Sequence, residues 1–156
     1  DVVVSLLIKK GLKLSVAESC TGGMLAKKIT DVSGASQVFD LGVVSYSNEI
    51  KNKILSVKTE TLNKFGAVSE NTASEMADGI RKLADADYGI GITGIAGPSG
   101  GTDEKPVGLV YIAISQKDGT AKVIKNVFGH GKENERDFIR NLSVNTALWE
   151  LYKIIK

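Results

Sequence analysis

The chain has little of what many hydrolytic and metal-dependent sites are built from. Its 156 residues include one cysteine, Cys20, and one histidine, His130. A single cysteine excludes an internal disulfide and fits a reducing, cytoplasmic compartment. One cysteine and one histidine nearly exclude a zinc site of those ligands, and neither a metal nor a cofactor is expected. Any Ser-His-Asp or Cys-His system would have to use His130, which sits in Gly129-His130-Gly131, a loop position where a histidine is more often just exposed. A surplus of charge is missing as well. Twenty Lys and Arg against 18 Asp and Glu leave a net charge of +2, with no strongly basic segment. No nucleic-acid footprint is therefore expected. No membrane partner is expected either, because no apolar run reaches spanning length and the N-terminus lacks a signal-peptide pattern.

Familiar nucleotide and nucleophile motifs are absent too. No Gly-Lys-Ser/Thr follows a glycine-rich loop, so there is no Walker loop. The Rossmann fingerprint fails, because Gly22-Gly23 lacks a third glycine and Gly89-x-Gly91-x-x-Gly94 lies within and after a strand. The Gly-x-Ser-x-Gly elbow is missing, and Ser-x-x-Lys occurs nowhere.

What is present is an ordinary globular composition, 42% hydrophobic and 24% charged, in a length suited to one domain, residues 1–156, with a continuous core. The first residues read as a helix closed by Gly11, which is consistent with one domain of a longer protein. A short strand through Leu12, Leu14 and Val16 leads to a helix from about Gly22 to Asp31. Val38–Ser47 reads as a strand. Short helices follow over Asn48–Leu55, capped by Ser47 or Asn48, and over Thr59–Phe65. Ser69–Ala86 is a longer helix with Ala73, Met76, Ala77, Ile80 and Leu83 on one stripe. Tyr88–Thr93 is a strand buried on both faces. Val107–Ser115 and Ala121–Phe128 form an antiparallel pair around Asp118-Gly119. A helix from about Lys132 closes the chain, with Val144, Leu148, Leu151 and Ile155 inward. Strands interleaved with helices, then a hairpin and a helix, predict a single layered α/β/α domain with a mixed β-sheet.

Chemistry concentrates in two places. Leu14-Ser-Val-Ala-Glu-Ser-Cys-Thr-Gly-Gly23 is a strand that breaks into small polar residues and feeds a helix. The amides of Cys20, Thr21, Gly22 and Gly23 at such a turn can hold an anion or a developing oxyanion. Alternatively, Ser19 or Thr21 is only an N-cap. The second place is Gly89–Gly108, which holds 7 of the 17 glycines and both prolines. A long glycine-rich loop after a buried strand lies at the carboxyl edge of the sheet, where α/β proteins bind ligands. Its glycines let backbone amides approach a phosphate; a plain surface loop is the other reading.

If Ser19 is a nucleophile, it needs a base from another element. Lys51 lies in the first turn of its helix, where the positive dipole end disfavours an ammonium, and a neutral lysine accepts a serine proton. The ordinary reading of Lys51 is a solvated surface residue. Tyr46 stands nearby to donate or relay a proton. Cys20 reads as a small buried or half-buried thiol. Glu18 could cap, hold a base or face solvent. Arg136 and Arg140, spaced i, i+4, can clamp a phosphate or carboxylate, or pair with Glu133, Glu135 or Asp137.

Four ordered blocks carry a family resemblance: Ala17-Glu-Ser-Cys-Thr-Gly-Gly23, Tyr46-Ser-Asn-Glu-Ile-Lys51, Gly66-Ala-Val-Ser-Glu70, and Thr93-Gly-Ile-Ala-Gly-Pro-x-Gly-Gly101 followed by Lys105-Pro-Val-Gly108. Together they closely resemble the CinA C-terminal domain family, the bacterial nicotinamide-nucleotide amidases. The resemblance implies hydrolysis of the carboxamide of nicotinamide mononucleotide to nicotinate mononucleotide and ammonia, without metal. It places the nucleophile on Ser19, the base on Lys51 and a supporting role on Tyr46. It also implies that the Thr93 loop (Thr93, Gly94, Ala96, Gly97, Gly101) and an arginine of the last helix line the pocket. Gly131-Lys-Glu-Asn-Glu-Arg136 carries extra residues before the arginine, so Arg136 and Arg140 both stand for that position. A homo-oligomer, and an N-terminal CinA domain in a longer protein, are implied as well. The alternative is a non-catalytic nucleotide-binding regulatory module of a larger CinA-type protein.

Overall fold

The fold is seen in a computed structural model that describes residues 1–129 and 135–156. Expectations for His130, Gly131, Lys132 and Glu133 lie outside the described residues. In chain order the elements are α1 (Val2–Lys10), β1 (Leu14–Glu18), α2 (Met24–Thr30), β2 (Phe39–Val44), α3 (Asn48–Leu55), α4 (Thr59–Phe65), α5 (Glu70–Leu83), β3 (Tyr88–Gly94), β4 (Leu109–Gln116), β5 (Ala121–Val127) and α6 (Glu135–Ile155), with a 3-10 turn at Ala35–Gln37. The five strands form one mixed sheet in the order β2-β1-β3-β4-β5. β2, β1 and β3 are parallel, and β4 and β5 continue antiparallel. The result is an α/β domain with helices on both faces of the sheet, as the interleaved pattern predicts.

The two faces are packed by different rules. On one, Val16, Ile90, Ile92, Ile112 and Ile114 meet Leu7 of α1, Leu25 and Ile29 of α2, and Val144 and Leu151 of α6. On the other, the inward positions are small: Ala17 packs with Met76 and Ile80, and Ala113 with Ala73 and Ala77. There α5 lies almost on the sheet backbone. A Cβ on Gly89 would stand 2.2 Å from the Ala77 carbonyl, and one on Gly91 would stand 2.4 Å from that of Ala73. The Gly-x-Gly of β3 therefore serves helix–sheet contact and not phosphate binding.

Element ends differ from the periodicity where the backbone turns. Gly22 and Gly23 are left-handed at φ 58° and 94°, so α2 starts at Met24. Ser47 leaves the sheet to cap α3, its side chain accepting from the Ile50 amide at 3.2 Å, so β2 ends at Val44. Gly108, at φ 91°, delays β4 to Leu109. Asp85, left-handed at φ 46°, stops α5 short of Ala86, and Leu83 is exposed on it. Among the described residues no helix is long and apolar enough to cross a membrane.

The register decides where chemistry can occur. Glu18 is level with Val44 on one side and with Ile92 on the other. The residues that follow, Ser19, Ser45 and Thr93, therefore stand side by side, the first two just past the ends of β1 and β2 and Thr93 next to the end of β3. The chain turns from β1 to β2 in one direction, and β3 lies on the other side. This is the topological switch at which open parallel sheets leave a crevice.

Candidate active site

A cleft of about 270 Å³ opens at that switch, lined by Ser19 and Cys20 after β1, Tyr46 and Lys51, Ala67 and Val68, the 93–97 stretch, Ser99, Gly100 and Arg136. Three chain segments make its floor. Ser19 is held by its own amide, which donates to the Ile92 carbonyl at 3.0 Å. Lys51 enters from the first turns of α3 and is 1% exposed. Its Nζ donates to Ser19 Oγ at 3.1 Å and to the Ser45 carbonyl at 2.6 Å. Thr93, also buried, donates its hydroxyl to the Ala67 carbonyl at 2.7 Å. That bond ties the end of β3 to the turn before α5. The turn itself is held by Ser69, which caps α5, and by Thr72, whose hydroxyl donates to the Gly66 carbonyl at 2.8 Å.

The solvated reading of Lys51 does not hold in the fold. Burial strips the ammonium of water, and this lowers the pKa from its ordinary value of 10.5; an opposing attraction from Cys20 is the smaller influence. Cys20 is shifted the other way. Burial pushes its thiol up to about 11, so it is protonated at neutral pH and a poor nucleophile. The site thus holds a lysine biased toward the neutral amine beside a serine hydroxyl, with an inert thiol next to them.

The turn after β1 is organised by a residue for which the sequence left three roles open. The Glu18 carboxylate is buried and accepts from the amides of Gly23 (3.2 Å), Leu25 (3.0 Å) and Ala26 (2.8 Å). It is Glu18, and neither Ser19 nor Thr21, that caps α2. The Gly22 amide donates to the Ser19 carbonyl. With Gly22 and Gly23 engaged, the amides of Cys20 and Thr21 donate to no main-chain carbonyl among the described residues, that of Cys20 lying against its own thiol. Thr21 Oγ1 is buried with no partner among the described residues.

The mouth of the cleft has a different character. Tyr46 is 62% exposed, and its hydroxyl accepts from Arg136 at 2.9 Å, away from Lys51. Arg136 also donates to the Gly97 carbonyl at 2.8 Å, so one guanidinium bridges the end of the β2 segment and the glycine loop. Arg140 diverges from it. Its guanidinium donates to the Thr21 carbonyl at 2.9 Å behind Gly22, and it does not line the cleft. Gly94, Ala96 and Gly97 line the cleft; Gly101 belongs to the adjoining hollow with Pro98 and Thr102. Ser45 went unnoticed in the sequence because it contributes a main-chain carbonyl, which no side-chain pattern signals.

Residues 1–155 match the family described as the CinA C-terminal domain. A CinA-like protein of Kosmotoga olearia is 55% identical over 148 residues, 95% of this chain and 35% of that protein. The chain spans about a third of the length of the curated relatives it matches. Among solved structures, the competence/damage inducible protein CihA from Agrobacterium tumefaciens superposes with a TM-score of 0.94 at 42% identity, covering 99% of this chain and 92% of that one. A competence-damaged protein (CinA) superfamily protein from Escherichia coli gives 0.91 at 37% identity, covering 98% of this chain and 86% of the other. The family match and these superpositions cover nearly the full length of the domain, and this chain belongs to the CinA C-terminal domain family.

Proposed function

We propose that this domain is a serine amidase that hydrolyses the carboxamide of nicotinamide mononucleotide, giving nicotinate mononucleotide and ammonia. One observation carries the reading: a fully buried lysine amine 3.1 Å from a serine hydroxyl, at the crevice where such sheets take ligands. A structural lysine has little reason to be dehydrated there, whereas a general base needs its proton removed.

The chemistry follows from the partners of Lys51. In the neutral amine one N–H stays on the Ser45 carbonyl, and this turns the lone pair toward Ser19. Ser19 Oγ then attacks the carboxamide carbon as its proton passes to Lys51. The oxyanion that forms lies within reach of the Cys20 and Thr21 amides, whose dipoles stabilise it without reorganising. Collapse of this intermediate breaks the C–N bond. Lys51 returns the proton to the departing amine, which leaves as ammonia. Water, deprotonated by the same lysine, cleaves the acyl-serine, and the proton returns to Ser19 Oγ. Arg136, at the mouth, takes the nucleotide phosphate, exchanging its bonds to Tyr46 and Gly97 for charge-assisted ones. The homologous proteins are longer than this chain, so the activity is assigned to the domain.

The test is an ammonia-release assay on nicotinamide mononucleotide with the purified chain. Release matched by nicotinate mononucleotide is expected. A folded sample that binds the nucleotide tightly and releases nothing would overturn the reading in favour of a regulatory binding module.

A further inference from the structure

Glu18 ends β1 and is 1% exposed. A carboxylate at that depth must be compensated, and among the described residues no salt bridge does it. Three main-chain amides, of Gly23, Leu25 and Ala26, converge on its two oxygens at 2.8–3.2 Å. These are groups that the start of a helix otherwise leaves unpaired. The negative charge also lies at the positive end of α2, so that end is already occupied and cannot serve an anionic part of a ligand. The same residue reaches across to β2. The Glu18 carbonyl accepts from the Ser45 amide at 2.8 Å, and the Ser45 carbonyl accepts from Lys51 Nζ at 2.6 Å. Ser19 is the next residue in the chain. One residue therefore anchors the nucleophile's turn through its side chain and adjoins the anchor of the lysine through its main chain.

We propose that Glu18 is the positioning residue of the Ser19–Lys51 pair: its carboxylate, clamped by the amides of Gly23, Leu25 and Ala26, sets the Ser19–Gly23 turn so that Ser19 Oγ meets Lys51 Nζ while the Cys20 and Thr21 amides are kept out of the clamp. This rests on the amidase reading of Ser19 and Lys51. It treats the clamp as part of the reacting geometry and not only as a helix cap. A small misplacement of a nucleophile is costly, because most of its advantage comes from being held in attack position.

The experiment uses the full chain with Glu18→Gln and Glu18→Asp. Glutamine has one acceptor oxygen and sets an N–H against an N–H in the clamp. Aspartate keeps the charge but is one methylene short. Three quantities are measured: the rate at which a small fluorophosphonate labels Ser19, kcat and KM on nicotinamide mononucleotide, and Tm. Leu151→Ala, in the core face of α6, is the control for destabilisation alone; it lowers Tm and leaves labelling per folded molecule unchanged. Both Glu18 variants are expected to label about tenfold or more slowly and to lose kcat in parallel, with KM within about threefold of the parent. Glu18 variants that behave like Leu151→Ala, with lower Tm and parental labelling, would overturn the proposal. If the glutamine variant does not fold, the aspartate variant carries the same two outcomes. A parent chain that neither labels at Ser19 nor releases ammonia sinks the amidase reading and this proposal with it. A parent that labels at Ser19 without releasing ammonia refutes the substrate alone, and the labelling rates still decide Glu18.

Discussion

The floor and the mouth of the cleft are built on opposite principles. Ser19 follows β1, Lys51 lies in the first turns of α3 and Thr93 next to the end of β3, and Lys51 and Thr93 are each 1% exposed. Their bonds run to main-chain carbonyls or to one another. At the mouth, Tyr46 and Arg136 are exposed and hold each other and the glycine loop by bonds that water can replace. A buried floor fixes distances and shifts pKa values, which is what bond making needs. An exposed mouth can exchange partners as a charged ligand enters and leaves. On the proposed function, damage to the floor should appear in kcat and damage to the mouth in KM.

The sharpest way to break that contrast is Ser19→Ala. Removing the nucleophile is expected to lower kcat by on the order of 10³-fold or more, while nucleotide affinity measured by calorimetry changes little. An active Ser19→Ala enzyme would mean that the floor does not carry the reaction.

Lys51→Arg comes next and should be nearly as damaging as Lys51→Ala, because a guanidinium stays protonated and accepts no proton. The pH dependence sharpens this. Burial places the Lys51 pKa below 10.5 in the folded state, so kcat/KM should rise with pH through an ionisation below that value. His130→Ala should leave this limb in place. Stability has the same sign. Between the folded pKa and the unfolded one the unfolded chain binds the extra proton, so folding gains as pH rises across that window. Relative to Lys51→Met, the parent should therefore become more stable with rising pH, as read by chemical denaturation at several pH values. A parallel pair of curves would mean that Lys51 is not dehydrated in solution.

At the mouth, Arg136→Ala should raise KM by roughly 10- to 100-fold with kcat largely kept, since a charge-assisted bond is worth about 1.5–3 kcal/mol. The riboside lacking the phosphate should show little difference between parent and variant. Equal losses of Arg136→Ala on both substrates would move this arginine from phosphate capture to support of the loop. The smallest effect is expected from Cys20→Ala. With a thiol pKa near 11, Cys20 lends the reaction only its amide, and turnover should fall by less than about threefold. A large loss there would exchange the roles of Ser19 and Cys20.

Much of this was legible along the chain. Helical spacing with a cap at Ser47 or Asn48 marks α3, and the short run that stops at Gly66 marks α4, at their observed bounds, and the Asp118-Gly119 turn joins β4 and β5 as an antiparallel pair. Such features are local: the side chains of a strand or helix report their own period, and a turn needs its residue type whatever lies beyond it. The four motif blocks likewise carried the family and the pairing of Ser19 with Lys51. Four other things were decided only by tertiary structure. Lys51 looks solvated in Asn-Glu-Ile-Lys-Asn-Lys, and only the approach of the ends of β1 and β2 dehydrates it. Gly89 and Gly91 read as strand residues with no stated reason to be glycine, and only the contact with α5 shows that the helix backbone leaves no room for a Cβ there. Arg136 and Arg140 look like one clamp, yet the first faces the cleft and the second the back of Gly22. The roles of Glu18 and the Ser45 carbonyl appear only when main-chain groups far apart in sequence are brought together. The physical reason is common to all four. Desolvation, close backbone approach and main-chain hydrogen bonding depend on which atoms surround a residue, and in a crossed parallel sheet those neighbours come from distant parts of the chain.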